Sequence, residues 1–335
     1  INPLMVVLDF PYSMFAASLL AFFLSFFSIL WLIKRKADWA LDQPNARSLH
    51  TVPVPRIGGA CLLSAAMTAW LCFAATLPSA VLLGVALLMA ISLIDDIRHA
   101  PVWCRLLIHA VAAAWFAIAL LWGAYDGLTV LCVIIATIWM SNLYNFMDGS
   151  DGLAGGMAMI GFGCYGLIAY LAGDHNFAMI NFSIAAAAMA FLLHNFHPAR
   201  VFMGDAGSVP LGFLAAVLGV LGWLNQLWTI WVPLLIFSPF ITDATVTLTR
   251  RLLQGKKIWQ AHREHYYQRL VQSGFGHRNT ALAAYALMLI AGGCAIWINQ
   301  QDMAVQQWGM LMWGGIYLAA MMVADRSLKP FSDRG

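Results

Sequence analysis

Three aspartate-bearing stretches have residue types and spacings that could do chemistry, and each interrupts an otherwise apolar chain. "LIDDIRHAPVWCR", residues 93 to 105, sets Asp95 and Asp96 side by side where an apolar run ends. Adjacent carboxylates repel unless a proton or cation lies between them, so the pair suits metal or phosphate chemistry; two solvated aspartates at an interfacial helix end are the plainer alternative. In "NLYNFMDGSDGLAGG", residues 142 to 156, Asn142, Asn145 and Asp148 step by three and share a face if the helix runs that far. Gly149, Gly152, Gly155 and Gly156 then let backbone approach a ligand closely, and Asp151 extends the acidic edge. This is not an EF-hand, because the twelfth position from Asp148 is Met159 where that loop needs glutamate. An ordinary turn remains open, since Asn, Asp and Gly are turn formers. "NFHPARVFMGDAGSVPLG", residues 195 to 212, places Asp205 where the next apolar run begins, and there helix amides suit a phosphate while the carboxylate suits magnesium. Phe202, just upstream, could stack on a base or simply pack.

Two basic stretches complete the polar inventory. Residues 250 to 279, "RRLLQGKKIWQAHREHYYQRLVQSGFGHRN", carry His262, Arg263 and His265, which could meet a metal or phosphate or belong to a solvated amphipathic surface. In "RSLHTVPVPRIGG", residues 47 to 59, Arg47, His50 and Arg56 stand beside Gly58 and Gly59, enough to hold a phosphate.

The elements that must position these residues are membrane helices. Of 335 residues, 62% are hydrophobic and only 10% charged, far from the roughly 25% charged of a soluble domain. Runs near the 20 or so apolar residues that cross a bilayer recur throughout. Eleven are expected, at about 12–33, 57–77, 79–95, 105–123, 127–143, 153–172, 176–194, 208–226, 228–248, 280–298 and 305–324. The fold expected is thus an all-α, polytopic membrane protein of one domain, with polar loops at 34–56, 95–105, 142–156, 195–208 and 249–280. Cytoplasmic loops are enriched in Lys and Arg. With the N-terminus outside and the C-terminus cytoplasmic, the inner connections and tail hold all 18 Lys and Arg, and the outer loops hold none.

Topology therefore accounts for the net charge of +3, and no nucleic-acid partner is implied. The first apolar run precedes its basic residues and ends in no A-x-A pattern, so it reads as an anchor and not a signal peptide. The six scattered cysteines form no C-x-x-C pair and indicate neither a disulfide frame nor a zinc site. Among the acids, Asp9, Asp126, Asp174 and Asp302 fall singly on the outer side, and the other eleven lie at the inner boundary. Of these, Asp243 alone sits inside a span, near its inner end.

The motifs, in this order, resemble those of the polyprenyl-phosphate N-acetylhexosamine-1-phosphate transferases, the group that holds phospho-MurNAc-pentapeptide translocase and the O-antigen-initiating enzymes. The likeness spans roughly residues 47 to 280, and "HTVPVPRIGG" with "HREHYYQRL" looks most like the O-antigen branch. It implies transfer of an N-acetylhexosamine 1-phosphate, GlcNAc or a 6-deoxy sugar such as FucNAc or QuiNAc, from a UDP-sugar to undecaprenyl phosphate with release of UMP. Magnesium is the implied cofactor, with manganese as a substitute, and the implied setting is the bacterial inner membrane, active site cytoplasmic, with room for a homodimer. Carried over by motif, Asp205 is a metal ligand with Asn145 or Asp148, and Asp95 and Asp96 position or deprotonate the lipid phosphate. Asp151 and Phe202 hold uracil; His262, Arg263 and His265 face the diphosphate or sugar; Asn142, His50 and Arg56 assist in binding. Two departures stand out. A lysine common three positions after the aspartate pair is His99 here, preceded by Arg98, and the histidine run of the muramyl enzymes is reduced to His262 and His265. An ion-coupled transporter is the competing reading, but it would place ionisable groups near the bilayer midplane. A non-catalytic scaffold gives no reason for acidic clusters at three separate helix ends.

Overall fold

The computed structural model describes residues 10–35, 41–42, 54–98, 101–257, 260 and 262–328, apart from the side chains of residues 10, 11, 42 and 96–98. His50 and His99 lie outside the described residues, as does the side chain of Asp96. Thirteen α-helices run through the described residues: α1 (Phe10–Arg35), α2 (Gly58–Cys72), α3 (Ser79–Arg98), α4 (Val102–Leu121), α5 (Gly127–Phe146), α6 (Leu153–Leu171), α7 (His175–Asn195), α8 (Asp205–Leu224), α9 (Trp231–Ile236), α10 (Ser238–Leu253), α11 (Tyr266–Leu270), α12 (Gly276–Ile298) and α13 (Met303–Ser327). The β content is a two-residue antiparallel pairing of β1 (Leu41–Asp42) with β2 (Val54–Pro55). The chain is a polytopic all-α membrane protein. Seven stretches, α1, α4 to α8 and α11–α12, are individually long and apolar enough to cross a bilayer, while α2 and the apolar part of α3 are shorter.

Each expected apolar run becomes a helix, except that the ninth breaks in two. Pro239 lacks an amide hydrogen and its ring would crowd the preceding turn, so the helix stops at Ile236 and restarts at Ser238, whose hydroxyl donates back to the Leu235 carbonyl at 2.6 Å. In α8, 83% of the apolar window is buried, against 28% in α1, which makes α8 a central strut and α1 a lipid-facing one. Small residues let the central helices approach. A methyl on Gly212 would meet the Met140 carbonyl at 2.5 Å, so α5 and α8 touch backbone to backbone there.

The two ends of the bundle are built differently. At one end, Asp126, Asp174 and Asp302 cap α5, α7 and α13, each accepting from a backbone N–H three residues on at 2.9 Å. These are three of the four acids expected singly on the outer side. At the other end, where the motifs collect, α2, α4, α6 and α8 begin without a side-chain cap.

Candidate active site

The motif-bearing end is assembled from helix termini. Gly58 and Gly59 donate their backbone N–H groups to the carbonyls of Phe202 and Met203 at 2.9 Å, and the Phe202 N–H donates to the Pro55 carbonyl at 2.7 Å. This ties "VPRIGG", with Arg56, to "VFMGDAGS". A Cβ on Gly59 would collide with the Cα of Gly207, so only a glycine pair lets α2 start against α8. Gly152 takes a left-handed conformation (φ 76°) to open α6, with its N–H on Asn195 Oδ1 at 2.9 Å and its carbonyl accepting from the Tyr285 hydroxyl at 2.7 Å.

Within this frame Asp95 and Asp205, from two motifs, meet one cation, and Asn145, from a third, meets Asp205. The Arg105 guanidinium donates to Asp95 Oδ2 at 2.5 Å and to Asp205 Oδ2 at 3.2 Å. Asn145 Nδ2 donates to Asp205 Oδ1 at 2.8 Å and to Ser208 Oγ at 2.9 Å. Asp95 is mostly buried, whereas Arg105 and Asp205 keep about a third of their side chains exposed. Two carboxylates that would repel thus share one guanidinium nitrogen, which offsets part of their charge while Asp205 stays open to a ligand. A cavity of about 550 Å³ continues from this cluster between α3, α4, α5, α8 and α10, lined by Arg105, Asn142, Asn145 and Asp205 at its polar end and by Leu106, Ile135 and Trp139 further along.

The expected face of Asn142, Asn145 and Asp148 is only partly realised. Helix α5 ends at Phe146, because Asp, Gly and Ser make poor helix and good turn. Asp148 follows the helix end, within electrostatic range of Tyr144 and Tyr267, while Asn142 and Asn145 line the cavity. Asp151 binds His197 Nδ1 at 2.6 Å and accepts from the Ala199 N–H at 3.2 Å. His197 stacks on His277 with centroids 5.4 Å apart, and His277 Nδ1 meets the Ser150 hydroxyl at 2.9 Å.

The loop before α11 docks on the end of α5. His262 and His265 stack at 4.8 Å, with Arg263 between them in sequence, and His265 stacks on Phe146 at 6.2 Å. The Tyr267 hydroxyl donates to the Phe146 carbonyl at 3.0 Å. Arg251 pairs with Glu264, which also accepts from Lys256 at 3.1 Å. Asp243, the acid inside a span, is fully engaged: it accepts the Tyr266 and Tyr267 N–H groups at 2.9 and 3.0 Å, Thr247 Oγ1 at 3.2 Å, and contacts His265 Nδ1 at 3.3 Å. A carboxylate so satisfied orders this loop.

Burial, then the charges of His265 and Arg251, holds the His262 imidazole down to about 4. With the folded value below the free-chain value, the neutral ring contributes stability that is whole above about pH 6.5 and lost as pH falls from there through about 4. Thermal unfolding of His262→Gln should therefore fall less steeply than wild type over that window and match its slope above it; parallel curves throughout would disprove the assignment.

Arg105, Ser208, His197 and His277 were not singled out from sequence. Arg105 had a signal: it heads an apolar run, where a cation is costly unless it has partners.

The donors around Asp205 are carboxylate, amide and hydroxyl, the oxygen set that magnesium and manganese take. No group of three or more His, Cys, Asp or Glu side chains able to cage an ion occurs among the described residues.

Comparison with known proteins adds an independent line. The family model for glycosyl transferase family 4 matches residues 78–222. A Bacillus subtilis protein named as a probable undecaprenyl-phosphate N-acetylglucosaminyl 1-phosphate transferase is 30% identical, covering 77% of this chain and 76% of its own. A Yersinia pestis undecaprenyl-phosphate alpha-N-acetylglucosaminyl 1-phosphate transferase is 27% identical over 86% of this chain and 84% of its own. A phospho-N-acetylmuramoyl-pentapeptide-transferase of Staphylococcus saprophyticus is 32% identical, but over only 51% and 53%.

Proposed function

This chain belongs to glycosyl transferase family 4, and from that premise and the site geometry we propose that it transfers an N-acetylhexosamine 1-phosphate from a UDP-sugar to undecaprenyl phosphate, releasing UMP. The general reaction, polyprenyl-phosphate sugar-1-phosphate transfer, is the one its relatives are named for. The sugar is GlcNAc or a 6-deoxy N-acetylhexosamine such as FucNAc or QuiNAc, and the product starts O-antigen or another surface glycan. The site faces the cytoplasm of a bacterial inner membrane, as the placement of every Lys and Arg favours.

The observation that carries this reading is Arg105 bridging Asp95 and Asp205 at the mouth of an apolar cavity. Two anions must meet here, one anchored by an isoprenoid chain. The cavity suits the chain, and the polar mouth suits its phosphate. Asp205 and the Asn145 amide, with Asp148 nearby in sequence, would hold a divalent cation, which supplies positive charge to the donor diphosphate when bound. Arg105 neutralises phosphate charge from the protein side. Asp95 and Asp96 position the carrier phosphate and accept its proton. A carrier phosphate oxygen then bonds to the phosphorus that bears the sugar, and the bond from that phosphorus to UMP breaks. Asn142 lines the carrier side. Asp151, oriented by His197, and Phe202, held by β2, receive the uracil; His262, Arg263 and His265 meet the diphosphate and sugar; His50 and Arg56 add charge from the α1–α2 connection.

Purified protein with Mg²⁺ and undecaprenyl phosphate should release UMP from at least one of UDP-GlcNAc, UDP-FucNAc and UDP-QuiNAc. Absence of UMP with all three would sink the proposal.

A further inference from the structure

Below the catalytic cluster lies a second polar layer. Ser92, His109 and Asn142 stand one helical turn deeper than Asp95, Arg105 and Asn145, on α3, α4 and α5 in turn, and all three line the 550 Å³ cavity. Beyond them the walls are apolar, and Val102, Leu106 and Ile135 at the rim are each about half exposed on the bilayer-facing surface. Polar side chains at that depth are costly unless something pairs with them. Ser92 is nearly sealed, and Asn142 satisfies its amide on the Ile138 carbonyl at 2.7 Å.

His109 has no such outlet. Its residue is 6% exposed, and its Nδ1 is sealed from solvent without a hydrogen-bond partner. It follows Arg105 by four residues and so lies on the same face of α4, toward the cavity. Asp151, Phe202, His262 and His265, which serve the nucleotide donor, do not line this cavity. The ring lines the cavity between the acidic cluster and apolar walls, and an imidazole nitrogen without a partner there fits the head-group end of a lipid phosphate.

We propose that His109 is a binding residue for the carrier, a hydrogen-bonding partner for the phosphate-ester end of an isoprenoid monophosphate seated in this cavity. The inference rests on the transferase reading. The imidazole grips the carrier just below Arg105 and fixes how far its phosphate rises toward Asp95 and Asp205. Without that contact the chain still enters, but its head group is held less firmly.

The test uses the full-length protein and compares wild type with His109→Leu, which fills similar space without a ring nitrogen, and His109→Gln, which restores a donor. For His109→Leu the KM for undecaprenyl phosphate should rise about tenfold, the KM for the UDP-sugar should stay within about twofold, and the thermal midpoint should hold or rise; His109→Gln should recover most of the carrier affinity. Undecaprenol, which lacks the phosphate, should compete equally against wild type and His109→Leu. An unchanged carrier KM, an equal rise in both KM values, or a selective loss of undecaprenol competition would overturn the proposal. If wild type itself releases no UMP, the transferase reading fails, and that outcome is distinct from an active wild type matched by His109→Leu.

Discussion

Replacing Asp205 with asparagine should abolish UMP release, by at least about 10³-fold, while the protein still inserts and folds. The magnitude is the upper end for loss of a single charge-stabilising group at a transferring centre. Asp205 opens α8 and receives two donors, Asn145 at 2.8 Å and Arg105 at 3.2 Å. The asparagine oxygen can accept from either, so the substitution changes charge far more than shape. Its side chain, about a third exposed, limits the structural cost to about 1 kcal/mol. Asp126→Ala at the opposite end provides the contrast, removing the α5 cap while leaving catalysis intact. Rate and thermal unfolding measured on both variants separate the roles; Asp205→Asn retaining more than about a tenth of the wild-type rate would remove Asp205 from the chemistry.

Arg105 should rank next. Arg105→Met leaves Asp95 and Asp205 facing one another with no shared cation, and kcat/KM should fall by about 10²-fold or more. Arg105→Lys keeps the charge but not the reach and planar geometry by which one guanidinium nitrogen meets carboxylates of α3 and α8, so its activity should fall between the two. The ordering wild type, Lys, Met is the diagnostic result. Equal activity of Arg105→Met and wild type would mean that the bridge is only structural.

The helices were legible because crossing a bilayer demands long apolar runs and leaves few alternatives. Where a run contained Pro239, the same physics broke it, and the residue that caused the break was visible in "FSPF". The site was legible in its motifs and less so in its wiring. Asp95 and Asp205 are joined by Arg105, which from sequence served only to mark topology, and Asn145 reaches Asp205 directly. The lysine missing beside the aspartate pair turned attention to Arg98 and His99, whereas a guanidinium one turn into the next helix reaches both carboxylates. Asp148 was expected on the Asn142–Asn145 face because a step of three ignores where a helix ends. Asp243 looked like an intramembrane charge until α11, over twenty residues later, folded back to donate its first amides to it. Tertiary partners at such separations leave no local trace.

The uneven capping of the bundle has a thermodynamic consequence. Aspartates close the helix starts at one end, while α2, α4, α6 and α8 open onto the motif end without a cap from the residue before them. On the proposed reading these helix starts face the anionic substrates, and a bound anion adds to the partners their first amides already have. By mass action, a nucleotide at a hundredfold excess over its Kd adds about 2.7 kcal/mol to the folded state. If the proposed nucleotide sugar is that ligand, the stability of this protein in the membrane is partly a property of its substrate supply.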